Sequence, residues 1–323
     1  MKLYRLRLVP ESPWRTPWQS DTLAGLLCWM CARTEGDAVL RREIIEPALA
    51  GCPPFILSDA FPGDWLPVPI TARLAEWAPK DRKVVKRARW LSADAFRRAQ
   101  HGECPSLDDL VPVSGIHEYA RLRNTIGRPG NATAHAGGLF QSEETVLGTD
   151  ERGQQIEHLT VYVRVRDEFA EHFQLLMQEL AECGFGADRS AGMGQFHLSS
   201  QLEPVKGMDA PNDADGFVVL STFQPAPNDP TEGAWDSFTK YGKLGPDFGL
   251  ENVFKRPLVL FRPGACFRHP LLHGWLGRAI PMRELLAPEE AVHLNARGAS
   301  VVHWAFGLCV PLRWPLEKRG VPG

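Results

Sequence analysis

The chain has little of what marks a membrane, secreted or catalytic protein. No run of apolar residues is long enough to span a bilayer. The N-terminus, MKLYRLRLVPESPW, alternates charged and apolar residues, unlike a signal peptide. Cysteines number seven, an odd count, and are widely spread. That argues against a disulfide framework and suits reduced thiols in a cytoplasm. There is no G-x-S-x-G, no H-E-x-x-H and no paired-carboxylate motif. Cys28 and Cys31 form a C-x-x-C, but no second pair and no His pair accompanies it, and both lie in an apolar helix. His135, His269 and His273 show no partner, and Pro270 separates the last two. The expectation is a cytoplasmic protein that is not an enzyme and needs no metal or cofactor. No tandem repeat is visible.

What is present is enough chain for two domains with proper cores, 323 residues of ordinary apolar content. Residues 2–9 alternate as a strand. SDTLAGLLCWMCAR, residues 20–33, has a helical apolar stripe, with Ser20 or Asp21 able to cap it. Prolines punctuate the next stretch, which predicts short strands at 55–58 and 66–71. Residues 100–155 are weakly periodic and read as loop and hairpin. Residues 158–165 predict a strand and 167–183 an amphipathic helix, with a glycine loop and a strand at 195–202 after it. This order fits a ferredoxin-like β-α-β-β-α-β unit carrying a large insertion. A polar linker at 203–216 leads to further strands at 217–225, 256–264 and 303–315. The fold class is α+β, with an N-terminal unit over 1–202, its insertion at about 79–155, and a β-rich C-terminal unit over 203–323.

The formal net charge is −3, but charge is patchy. PKDRKVVKRARWLSADAFRRAQ, residues 79–100, places Lys83, Lys86, Arg87 and Arg89 in one basic block. Such a block suits a phosphate surface or a solvated helix face. YARLRNTIGRPGNATAHAGGLFQSEE, residues 119–144, interleaves Arg121, Arg123 and Arg128 with Asn124 and Thr133. These are donors for phosphates, 2′-hydroxyls and base edges, and Phe140 can stack on a base. An Arg-rich hairpin without a ligand is the plain alternative.

GFGADRSAGMGQFHL, residues 184–198, holds Gly184, Gly186, Gly192 and Gly194 around Arg189, Ser190 and Met193. A dinucleotide fingerprint would need glycine where Arg189 stands. A P-loop would need Lys-Ser or Lys-Thr after its last glycine. A polymer backbone such as RNA could run across the loop, since glycines permit positive φ and close approach. A tight helix-to-strand turn with no ligand also fits.

Taken together, these stretches resemble the RAMP superfamily of CRISPR proteins, and within it the Cas5-group family that forms subunit four of type III-A Csm effector complexes. The resemblance rests on SDTLAGLLCW, the basic run into RWLSADAF, RLRNTIGRPGNATAHAGGLF and the glycine loop, in that order. It implies two ferredoxin-like (RRM-like) domains and a non-catalytic subunit gripping the repeat-derived 5′ tag of crRNA. It also implies two protein partners, a large polymerase/cyclase-type subunit and a backbone RAMP subunit. Gly184, Gly186, Arg189, Ser190, Gly192 and Gly194 match the family's loop, and Arg123, Asn124, Ile126 and Arg128 its Asn–Ile–Arg segment. Met193 and Ser20 complete the candidate RNA contacts. A 5′-tag subunit of another CRISPR subtype and a repeat-cleaving endoribonuclease of the same superfamily remain alternatives.

Overall fold

A computed structural model describes residues 1–75, 77–127, 132–133, 138–245, 248–296, 298 and 300–314. It is a mixed helix-and-sheet fold built on two larger antiparallel sheets. The first sheet is formed by β1 (Lys2–Pro10), β2 (Phe55–Pro62) and two strands beyond the insertion. α1 (Ser20–Thr34) joins β1 to β2. Within the insertion lie α2 (Arg82–Arg87), α3 (Ala93–Gln100), and the paired strands β3 (Ile116–Asn124) and β4 (Leu139–Leu147). β5 (Leu159–Val165), α4 (Ala170–Cys183) and β6 (Phe196–Leu198) complete the first sheet. Its order is β6–β1–β5–β2, antiparallel throughout, with Glu203–Pro204 pairing beside β1.

The helices form for the reasons the periodicity predicts. α1 buries Leu23, Ala24, Leu27, Met30 and Cys31, and α4 buries Phe173, Leu176, Met177 and Leu180, each set on one face. β5 is central and buried along its whole length, which accounts for its apolar residues on both faces. One expected strand, 66–71, shrinks to Leu66–Pro67, and a short helix starts at Ile70. Pro67 and Pro69 each remove a ladder donor, and Pro69 leads into the helix. The predicted hairpin is real: β3 and β4 pair from Ile116↔Leu147 to Asn124↔Leu139.

The second sheet has β7 (Gly216–Val219), β8 (Gly233–Ala234), β9 (Cys266–Phe267), β10 (Trp275–Pro281) and β11 (Val302–Leu312). Its order is β8–β9–β7–β11–β10, and α5 (Pro288–Ala296) lies between β10 and β11. Among the described residues, strands rather than an α-helix fill the span between β7 and β9. Leu258–Phe261, within the predicted 256–264 strand, pairs with Ser237–Lys240 in a separate two-stranded sheet. No helix among the described residues is long and apolar enough to cross a membrane.

A buried polar junction ties the two sheets at the start of α1. The helix takes no cap from Ser20 or Asp21; its N-cap residue is Gln19, without a side-chain cap. Instead Asp59 on β2 accepts the Ser20 N–H at 2.9 Å, the Thr222 N–H at 2.7 Å and the Thr222 hydroxyl at 2.7 Å. The Ser20 hydroxyl donates to the Thr222 carbonyl. Burial pushes the Asp59 carboxyl up, and these donors pull against it. Beside it, Lys240 Nζ reaches both Asp21 oxygens at 2.8 Å, plus Gln19 and Thr22. Burial opposes the charge on Asp21, but Lys240 and His303 outweigh it and hold the carboxyl below its ordinary range. Burial lowers the Lys255 ammonium to about 8 and the His303 ring to about 4, in each case against the attraction of Asp21.

His303 sets a pH response. Between pH 6.5 and about 4 the unfolded chain takes up a proton that the folded chain refuses. Stability therefore falls as pH falls through that window, by on the order of 3 kcal/mol. Urea unfolding at stepped pH checks this: His303→Gln should remove that slope while leaving the steeper acid loss below pH 4.

Candidate nucleic-acid interface

The loop after α4 is shaped by its glycines. Gly184, Gly186, Gly192 and Gly194 all have positive φ, and Asp188 joins them at φ 59°. Three of the four face the protein itself. A Cβ on Gly194 would sit 1.9 Å from the Phe185 carbonyl oxygen, one on Gly186 2.7 Å from Thr16, and one on Gly184 2.7 Å from the Gln195 side chain. Gly192 is different: at φ +80° it opens onto space, and a methyl group there would meet nothing within 4 Å. The loop tip, not the whole loop, is thus the part free to meet a ligand.

The Pro- and Trp-rich segment after β1 clamps this loop. Gly194 N–H donates to the Pro13 carbonyl at 2.8 Å, Gln195 N–H to the Ser12 hydroxyl at 2.8 Å, and Ala187 N–H to the Thr16 hydroxyl at 3.0 Å. Phe185 stacks on Trp18 with ring centroids 3.8 Å apart, and Trp18 meets Phe196 edge-on at 5.1 Å. Such pairs add about 0.5–1.5 kcal/mol beyond their burial. Arg15 pairs with Asp188, which leaves Arg189 without an ion pair to any described residue. Arg189 and Ser190 line an open hollow of about 440 Å³ with Arg33, Cys183, Gly186 and Asp188. Two guanidinium groups on one polar hollow suit an anion, since a guanidinium binds phosphate through two parallel donors.

The β3–β4 hairpin meets the loop at its base. Trp14 and Thr145 exchange backbone hydrogen bonds of 3.0 and 2.9 Å, joining the clamp to β4. Glu144, fully buried on β4, accepts from Arg123 at 2.6 Å and from Tyr119 at 3.0 Å, with Arg121 at 3.8 Å. Burial opposes its charge, but Arg123 and Tyr119 prevail and keep the carboxyl below its usual value. Arg123 also lies 3.5 Å from the sulfur of Met193, which is buried in the glycine loop. Arg123 is thus a strut between hairpin and loop. Arg121 stays largely exposed, and Phe140, opposite Arg123 in the register, is exposed as well.

The other expected site residues fall elsewhere. Lys83, Lys86, Arg87 and Arg89 are exposed on and after α2, which is anchored by buried Val85 and Ala88. No described contact brings them to the loop. Ser20 is buried with both its N–H and hydroxyl engaged in the polar junction, so its side chain is not available to RNA. Asn124 ends β3 and Thr133 lies in a two-residue strand paired with Ile126. Arg128 and His135 lie outside the described residues. Sequence reasoning missed Glu144, Trp18 and Thr16. The one available signal was PESPWRTPW, where dense tryptophan in a loop implies a packing partner.

The glycines separate by substitution. Gly192→Ala should cost only the left-handed backbone term, about 1–2 kcal/mol. Gly194→Ala should cost roughly 3 kcal/mol or more, because the new methyl meets a carbonyl and strain adds to it. Thermal or urea unfolding of the two variants measures the difference.

No family model matches the chain, and no curated protein matches it. Solved structures do. A chain of the "Csm1-Csm4 cassette in complex with AMPPNP" is 16% identical, with a TM-score of 0.62, over 98% of this chain and 100% of that one. A chain of the same cassette in complex with pppApA is 17% identical with a TM-score of 0.60, at the same coverage. A chain of the "Csm3-Csm4 subcomplex in the type III-A CRISPR-Cas interference complex" is 13% identical, with a TM-score of 0.60, over 97% of this chain and 100% of that one. The protein has, over nearly its whole length, the fold of a chain in these Csm assemblies.

Proposed function

We propose that this chain is the Csm4-type subunit of a type III-A Csm effector complex, a member of the RAMP superfamily built from two ferredoxin-like units. The observation that carries the reading is the end-to-end likeness of fold to chains of assemblies that share one component, Csm4. The antiparallel β6–β1–β5–β2 order, with α1 and α4 as its crossovers, supports a ferredoxin-like N-terminal unit. The partners follow from the same assemblies: a Csm1-type large subunit and a Csm3-type backbone subunit.

In this reading the subunit is not catalytic and holds the single-stranded 5′ tag of crRNA. Arg189 neutralises a phosphate at the open loop tip, where Gly192 lets the sugar–phosphate chain approach. Phe140 offers a stacking face on the adjoining hairpin, and Arg121 a second cation. Few phosphates meet each subunit, so the isolated chain binds RNA weakly, and each phosphate neutralised adds only about 0.7 to the slope of log affinity against log salt.

The decisive test is co-purification. The tagged chain, expressed with its neighbouring genes, should bring down a large partner, a backbone subunit and short RNAs with one shared repeat-derived 5′ end. RNA of random sequence, or none, would sink the tag-holding role. Arg189→Glu and Gly192→Asp should lower crRNA retention about tenfold, the loss of one charged phosphate contact, without unfolding the subunit. Equal crRNA yield from mutant and parent complexes would remove the loop from the interface.

A further inference from the structure

A cluster of three metal-ligand side chains lies where α1 and α4 meet. Cys31 sits near the end of α1, and Glu35 follows it by four residues, its N–H donating to the Cys31 carbonyl at 2.9 Å. That spacing puts both side chains on one side of the helix end. His172, in the first turn of α4, completes the set. The Cys31 sulfur, one Glu35 oxygen and one His172 nitrogen all lie within 4.8 Å of one another. They are graded in exposure, with the sulfur buried, the ring half-buried and the carboxylate open to solvent. We propose that Cys31, Glu35 and His172 form a site for a zinc-type divalent ion that clamps α1 to α4.

Three observations support it. The donor set is sulfur, imidazole nitrogen and carboxylate oxygen, which suits zinc and disfavours magnesium or calcium. The charge balances: a thiolate and a carboxylate offset the two positive charges of the ion, and the displaced thiol proton leaves to solvent. The geometry is close to what is needed. His172 Nε2 and Glu35 Oε1 are 2.5 Å apart, and a tetrahedral site with bonds of about 2.0–2.1 Å holds such atoms about 3.3 Å apart. The adjustment is under about an ångström at an exposed side chain.

A second, independent feature points at the same place. Glu179 Oε2, on α4, is buried and has no hydrogen-bond partner among the described residues. Burial pushes the Cys31 thiol up to about 12, and the nearby negative charges of Glu35, Glu179 and Glu43 add to it. A buried, unpaired carboxylate oxygen calls for a partner, and an ion or its bound water supplies one. The C-x-x-C spacing contributes nothing here, since Cys28 is not part of the cluster. A metal at this place departs from the sequence expectation of none, and it stands independently of the RNA-binding role.

The test uses the full chain, reduced and stripped with a chelator, then titrated with Zn²⁺ against a colorimetric competitor. A parallel titration with Co²⁺ reads the thiolate-to-cobalt charge-transfer band. One equivalent should bind, with at least a tenfold loss of affinity in Cys31→Ser, Glu35→Gln and His172→Gln, and no charge-transfer band in Cys31→Ser. The two surface variants keep the test intact if Cys31→Ser does not fold, and circular dichroism checks each. A variant carrying Cys52→Ser and Cys104→Ser, the exposed cysteines, should bind as the parent does. No stoichiometric binding, binding that follows Cys52 and Cys104, or parental affinity in His172→Gln would each overturn the proposal.

Discussion

The fold hangs on one buried carboxylate. Asp59 leaves β2 and satisfies the first N–H of α1 and both the N–H and hydroxyl of Thr222, a residue 163 positions downstream. A buried acid with that many donors is costly to disturb, because each donor left unpaired costs about 1–3 kcal/mol. α1 and, through it, α4 and the glycine loop take their place from this junction. α1 packs on the first sheet, α4 packs beside α1, and α4 delivers the glycine loop. The Lys240–Asp21 pair adds a second tie between the same two regions. Ser221 adds a third, its hydroxyl donating to the Leu57 carbonyl at 2.6 Å.

The glycine loop answers two demands with one composition. Gly184, Gly186 and Gly194 are needed for self-packing, since each lies against a neighbour that a methyl would strike. Gly192 carries no such duty. A loop rich in glycine is therefore weak evidence of a ligand until its contacts are sorted. Here the sorting leaves the tip around Arg189 and Gly192 as the candidate part of the loop for a ligand. The clamp from Pro13, Thr16 and Trp18 fixes the flanks of that tip at Gly194, Ala187 and Phe185, which shortens the span left free to move.

Local periodicity made most of the N-terminal sheet legible. β1, α1, β5 and α4 announce themselves because each buries one clear face or, for β5, two. The hairpin was legible as a hairpin, but its length was not, because β3 is mostly exposed and carries no alternating apolar signal. Long-range polar partners left no trace at all. Nothing near Glu144 marks it as the acid that gathers Arg121, Arg123 and Tyr119, and nothing near Asp59 marks it as the cap of α1. The serine that reads as a cap, Ser20, proves to need capping itself. Site residues on the loop and hairpin were chosen by type and spacing; which of them face outward depends on packing that spacing alone does not encode.

The hairpin and the glycine loop share Arg123, and this has a thermodynamic consequence. A two-stranded ribbon is marginal by itself. It is held by the pairing of Trp14 with Thr145 and by the contact of Arg123 with Met193. Fixing the loop therefore narrows the range of the ribbon, and fixing the ribbon narrows that of the loop. Whatever orders one surface first leaves less disorder for the second contact to remove, so binding at the two is positively linked without any change of shape.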